Sequence, residues 1–194
     1  MCKICILLLT VLSISACSPL APINLPDEKQ YVINKLPAIK TANHVTTATV
    51  LVLLPSTTPL YNTTAIIYSP THYEMRKLAS LRFSETPAEM LLQLLQQSLE
   101  NSQRFKFVVT PPYNGSYQYQ MSTHITQFYL DRTVYPAVFR CSLLIEWQNA
   151  VTQQLLISKR INASAAINGQ QNSAIIDAAN RAVASALSAV LAAI

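Results

Sequence analysis

The residue with the clearest chemistry to offer is Cys17. It closes the stretch Leu12-Ser13-Ile14-Ser15-Ala16-Cys17, directly after an apolar run over residues 4–12. Ser15 and Ala16 are small enough for a signal peptidase cleft, and a thiol placed just beyond them is an acyl acceptor. Cleavage between Ala16 and Cys17 would leave acyl chains on a new amino-terminal cysteine, which is the pattern of a bacterial lipoprotein signal. The apolar run is shorter than the ~20 residues that a bilayer-spanning helix requires, so a retained membrane span is not expected there. Ser18, rather than an aspartate, follows the cysteine. By the common sorting rule this favours the outer membrane, with the protein on its periplasmic face.

Other chemistry is sparse. The histidines are His44, His72 and His124, and none has a partner at metal-ligand spacing. With Gly115 and Gly169 as the only glycines, neither a phosphate-cradling loop nor a nucleophile elbow can be built. No catalytic residue, metal site or cofactor is expected, and the chain reads as a non-enzyme. Cys141 lies among alternating apolar residues and is expected to be a small core residue. Tyr113, Tyr117, Tyr119, Tyr129 and Tyr135 crowd the middle of the chain. They could form an amphipathic surface, but strand packing is the expected use.

Composition bounds the elements that carry these residues. Without residues 1–16 the chain has 178 residues, enough for one domain with a real core. Three prolines and no charge over residues 18–26 describe a tether, so the divisions expected are a signal at 1–16, lipidated Cys17 and tether at 17–30, and a folded domain at 31–194. The formal net charge of +5 is spread along the chain with no block of basic residues, so nucleic acid is not an expected partner. Once Cys2 and Cys5 depart with the signal and Cys17 is acylated, Cys141 has no disulfide partner.

Within the domain, residues 31–36 predict a first strand stopped by Pro37, and residues 46–54 a buried second one. Residues 65–68 and 73–79 predict a hairpin turning near Pro70. Thr86-Pro87-Ala88-Glu89 is a capping box with proline at the first helical position. The apolar residues Ala88, Leu91, Leu92, Leu95 and Leu99 follow at helical spacing, so a helix covers a sheet here. Strands are predicted at 105–109 and 117–126. Another is expected where Phe139, Cys141, Leu143, Ile145 and Trp147 alternate with polar residues, and a last one at 151–160. Residues 173–194 form an alanine-rich helix, too short in its apolar part to span a membrane and suited to close packing on a sheet. The fold expected is α/β: a single domain whose mixed, mostly antiparallel sheet is packed by two main helices on its faces.

Residues 73–79, then Leu81-Arg82-Phe83-Ser84-Glu85-Thr86-Pro87-Ala88-Glu89-Met90-Leu91, then residues 99–109, resemble the ABC-type transport auxiliary lipoproteins of the PqiC/YmbA type. Phe83 stands where that family has tryptophan. The resemblance implies a fold similar to the N-terminal domain of TolB. It also implies a subunit of an MCE-type intermembrane lipid-transport system, docking an MCE-domain (PqiB-like) protein conduit to the outer membrane, with some members assembling as homo-oligomeric rings. Acylated Cys17 would contact outer-membrane lipid, and Arg82 and Phe83, at the strand-to-helix junction, are candidates for the partner interface. Two alternatives stay open: a lipid-binding carrier with an apolar cleft between helix and sheet, and a structural envelope or secretion-system lipoprotein. Replacing Cys17 by serine is expected to leave the domain folded and to abolish incorporation of radiolabelled palmitate, moving the protein from the membrane to the soluble fraction.

Overall fold

The computed structural model describes residues 29–38, 46–169 and 171–194. The signal, Ala16, Cys17 and most of the tether lie outside them. The strands are β1 (Lys29–Tyr31), β2 (Thr46–Val52), β3 (Ser56–Thr57), β4 (Ala65–Thr71), β5 (Glu74–Phe83), β6 (Phe105–Val109), β7 (Tyr119–Asp131), β8 (Val138–Asn149) and β9 (Leu155–Ala166). The helices are α1 (Pro87–Asn101) and α2 (Asn172–Leu191). They complete a single α/β domain in which one mixed sheet is covered by two helices.

The longest ladders are antiparallel, β7 with β8 and β8 with β9. On its other edge β7 is met in turn, and in parallel, by β2, β3 and β4. β6 extends the sheet beyond β2, while β5 and then β1 extend it beyond β4. β8 presents Phe139, Cys141, Leu143, Ile145 and Trp147 to the core, as its alternation predicts. In β7 the buried residues change parity, from Met121, Thr123 and Ile125 to Phe128 and Leu130. A register shift between Ile125 and Gln127 supplies the extra residue, since a bulge sets two residues of one strand against one of its neighbour.

Both helices pack against each other on one face of the sheet, α1 over β2 and β6, α2 over β8 and β9. They do not take opposite faces. The capping box is present: Thr86 Oγ1 accepts from the Glu89 amide at 3.5 Å, and Glu89 Oε2 accepts from the Thr86 amide at 2.9 Å. The buried positions of α2 include Ala178, Ala179, Ala182 and Ala186, all fully buried, so the helix sits close to the strands. By length and composition α2 could cross a membrane, but two-thirds of its apolar window is buried inside the domain.

Three expected boundaries are displaced, each for a local reason. The first strand ends at Tyr31. Beyond it the amides of Asn34 and Lys35 donate to Asn180 Oδ1 on α2, both at 3.0 Å, so a side chain replaces the ladder and lays this segment on the helix. Pro70 lies inside β4, where a register irregularity between Tyr68 and Thr71 tolerates a missing amide, and the chain turns at His72-Tyr73 instead. β9 starts at Leu155, later than expected, because Asn149 Oδ1 accepts the amides of Val151 and Thr152 and Gln153 takes a left-handed φ of 59°, prolonging the turn.

The largely buried Asp131 closes the far end of β7. Burial alone would raise its pKa, but hydrogen bonds from Thr133 and the 2.6 Å bond from Arg140 Nε outweigh it and hold the carboxyl below the usual carboxylate range. A lowered folded-state pKa stabilises the fold above the unfolded value of ~3.9 and ceases to do so as pH falls through the folded value. Asp131→Asn is expected to destabilise the domain by about 1–3 kcal/mol at neutral pH and to flatten the acid limb of stability measured by urea unfolding against pH.

Candidate functional site

The feature of the surface best built to receive something is an apolar pocket of about 390 Å³ where five strands and the end of α2 converge. β8 contributes Trp147, whose ring centroid is 5.5 Å from that of Phe105 of β6 and 5.5 Å from that of Tyr119 of β7. The planes are inclined by 34° to Phe105 and 28° to Tyr119, close to stacked. The strand pairing puts the three rings together: Thr46 of β2 pairs with Phe105, Tyr119 pairs with Asn149, and Trp147 stands two residues before Asn149. Leu156 and Ile157 of β9 form the opposite wall, and Ile194 closes the side beyond α2.

Arg104, at the start of β6, fixes that last wall. Its Nη1 donates to the backbone oxygens of Leu191 at 2.7 Å and Ile194 at 2.9 Å. α2 carries no basic residue in its last turn. A guanidinium brought from 87 residues earlier therefore satisfies carbonyls that the helix end leaves open and meets the negative end of its dipole. Thr46 Oγ1 in turn donates to the Arg104 carbonyl at 2.9 Å. Arg104 is the one charged side chain that lines the pocket.

The residues singled out in the sequence fall elsewhere. Ala16 and Cys17 lie outside the described residues. Phe83 is 2% exposed and packs edge-to-face on Phe128 at 5.7 Å, so its ring is core and offers no surface to a partner. Arg82, its neighbour, is exposed on β5, in register with Gln30 of β1. Cys141 is fully buried, and desolvation pushes its thiol pKa up to about 12, so it is an inert core residue. His124 is half-buried on the face of the sheet away from the helices, its Nδ1 2.9 Å from Ser56 Oγ. Among the described residues no group of three His, Cys, Asp or Glu could hold a metal ion. Of the five tyrosines only Tyr119 reaches the pocket; Tyr135 is fully exposed and Tyr129 half-buried.

Sequence reading did not find the pocket because Trp147 sits in a clean alternation and reads as ordinary core. The available signal was the pair Leu155-Leu156 at the head of a strand, where alternation would place one of the two in water. Both are in fact about half exposed, at 52% and 46%.

The sequence matches the family of ABC-type transport auxiliary lipoprotein components over residues 31–190. The chain belongs to that family. The resemblance read from residues 73–109 is thereby confirmed. A crystal structure from Xanthomonas campestris, of the family DUF330, is similar with a TM-score of 0.78 at 15% identity, over 84% of this chain and 92% of that one. A hypothetical protein from Chlamydia trachomatis is similar with a TM-score of 0.50 at 10% identity, over 75% of this chain and 94% of that one. At these identities the likeness establishes the fold. No curated protein matches the sequence. Members of the family are auxiliary lipoprotein components of ABC-type transport.

Because Arg104 holds the end of α2 through two charge-assisted bonds, Arg104→Met is expected to lower stability by about 1.5–3 kcal/mol in chemical denaturation. The aromatic packing of Trp147 should loosen at the same time, which near-ultraviolet circular dichroism would register.

Proposed function

We propose that this auxiliary lipoprotein is an outer-membrane-anchored, periplasmic subunit of an MCE-type intermembrane lipid-transport system, holding the MCE-protein conduit against the membrane through acylated Cys17. The observation that carries the proposal is the family match over residues 31–190, joined to the lipoprotein pattern that ends at Cys17. A single core of packed strands and helices, with a reactive-group inventory too sparse for turnover, suits a docking role. The exposed Arg82 lies on β5 in register with Gln30 of the edge strand β1, a position from which it can contact a partner close to the anchor. Assembly of copies into a ring belongs to the same reading, since β1, β6 and β9 each pair on one side only and leave open edges.

Crosslinking in intact cells, followed by purification of the membrane-anchored protein, is expected to recover an MCE-domain protein. Arg82→Glu should reduce that yield while leaving membrane attachment unchanged. Absence of any MCE-domain protein among the crosslinked species would overturn the proposal.

A further inference from the structure

We propose that the pocket around Trp147 is a binding site for a single acyl chain of an anionic amphiphile, with the acid group held at Arg104. Three observations point to this occupant. The walls are apolar and aromatic, from Phe105, Tyr119, Trp147, Leu156, Ile157 and Ile194. They stand on paired strands and on a helix end that Arg104 fixes, so the site is formed before anything enters it. Leu156 is nevertheless 46% exposed at the mouth, beside Leu155 at 52%, leaving apolar surface that a chain would cover.

The second observation is charge. Arg104 spends both N–H groups of Nη1 on the Leu191 and Ile194 oxygens. Among the described residues it has no aspartate or glutamate partner, and no Asp or Glu side chain lines the pocket. Nε and Nη2 remain as donors for a carboxylate or phosphate, a charge-assisted bond of the stronger kind. The third is size. At about 390 Å³ the cavity lies near the lower end of the roughly 300–1,000 Å³ range of small-molecule sites. It takes part of one chain and not a two-chain lipid. The site therefore grips one chain of an amphiphile at the end of the sheet and does not enclose cargo, which sets it apart from a carrier. The preference for an acyl chain over other apolar anions rests on the transport reading above.

Trp147 is the only tryptophan of the chain and lines the site, so it reports occupancy directly. Purified Cys17→Ser protein, which carries no acyl group of its own, is titrated with a monomeric fatty acid brominated in mid-chain. Contact quenching of Trp147 is expected to be saturable at one equivalent. The brominated methyl ester, lacking the charge, is expected to bind about tenfold more weakly, a difference of about 1.4 kcal/mol. Leu156→Glu, at a half-exposed position where folding is not at risk, should weaken binding of the acid at least tenfold with circular dichroism and thermal unfolding unchanged. Quenching that does not saturate, or that Leu156→Glu leaves intact, would overturn the site. Equal binding of acid and ester would overturn the role of Arg104, and stoichiometric extraction of a brominated two-chain phospholipid from vesicles would overturn the single-chain limit. These outcomes are separate from the docking proposal: loss of the MCE-domain partner leaves the quenching untouched, and loss of quenching leaves the crosslink untouched.

Discussion

The structure depends on β7, which is paired along its whole length on one side and by three successive strands on the other. β8 fixes its register residue by residue, apart from the bulge. That bulge lets a thirteen-residue strand stay buried at both ends while the sheet bends: Met121, Thr123 and Ile125 face the helices before it, and Phe128 and Leu130 after it. Its polar atoms are accounted for, since Thr126 Oγ1 donates to the Ser142 carbonyl at 3.1 Å and Ser142 Oγ donates to Gln127 Oε1 at 2.9 Å. Without the parity change Phe128 would turn away from Phe139 and Phe83, its edge-to-face partners, and the junction between the β4–β5 arm and the β8–β9 arm would lose its core.

The helical layer follows from this frame. α2 can lie close to β8 and β9 because half of its buried positions are alanine, and α1 fills the remaining width over β2 and β6 with leucines. α2 ends at Leu191, close to the pocket. The pocket is bordered by the three rings of β6, β7 and β8, and Arg104 ties the helix end to the sheet across it. It thus lies where the end of a helix meets the aromatic residues of three strands.

Much of this was legible in the sequence, and the misses share a cause. The capping box, the stripe of α1 and the alternation of β8 are local patterns, and each appears where local chemistry puts it. The parity change in β7, the strand that stops at Tyr31 and Pro70 inside β4 are set by partners distant in sequence: Ser142 for the bulge, Asn180 for residues 34–35 and the β5 register for the proline. Arg82 and Phe83 were read together because they are adjacent, yet a strand sends neighbouring side chains to opposite faces, so one is exposed and the other is core. The pocket was invisible for the same reason, since its walls come from residues as far apart as Thr46 and Ile194 and no window of sequence contains them.

The two ends of the molecule can be ordered by register alone. Lys29 pairs with Leu81 on β5, and that arm meets β7 at Leu130 and Asp131, whereas the pocket is at Tyr119. Eleven residues of strand at ~3.3 Å each separate Tyr119 from Leu130 by roughly 36 Å. If the lipid is on Cys17, the stretch between it and Lys29 reaches at most ~40 Å, which is comparable with that separation. The anchor by itself therefore limits how far the domain stands from the membrane but does not choose which end faces it. Orientation must come from contacts of the folded surface, and an anchored docking subunit needs a fixed orientation to be of use. This places the demand for specificity on exposed residues of the β1–β5 arm and on the open sheet edges, and leaves the aromatic end free to point away from the anchor.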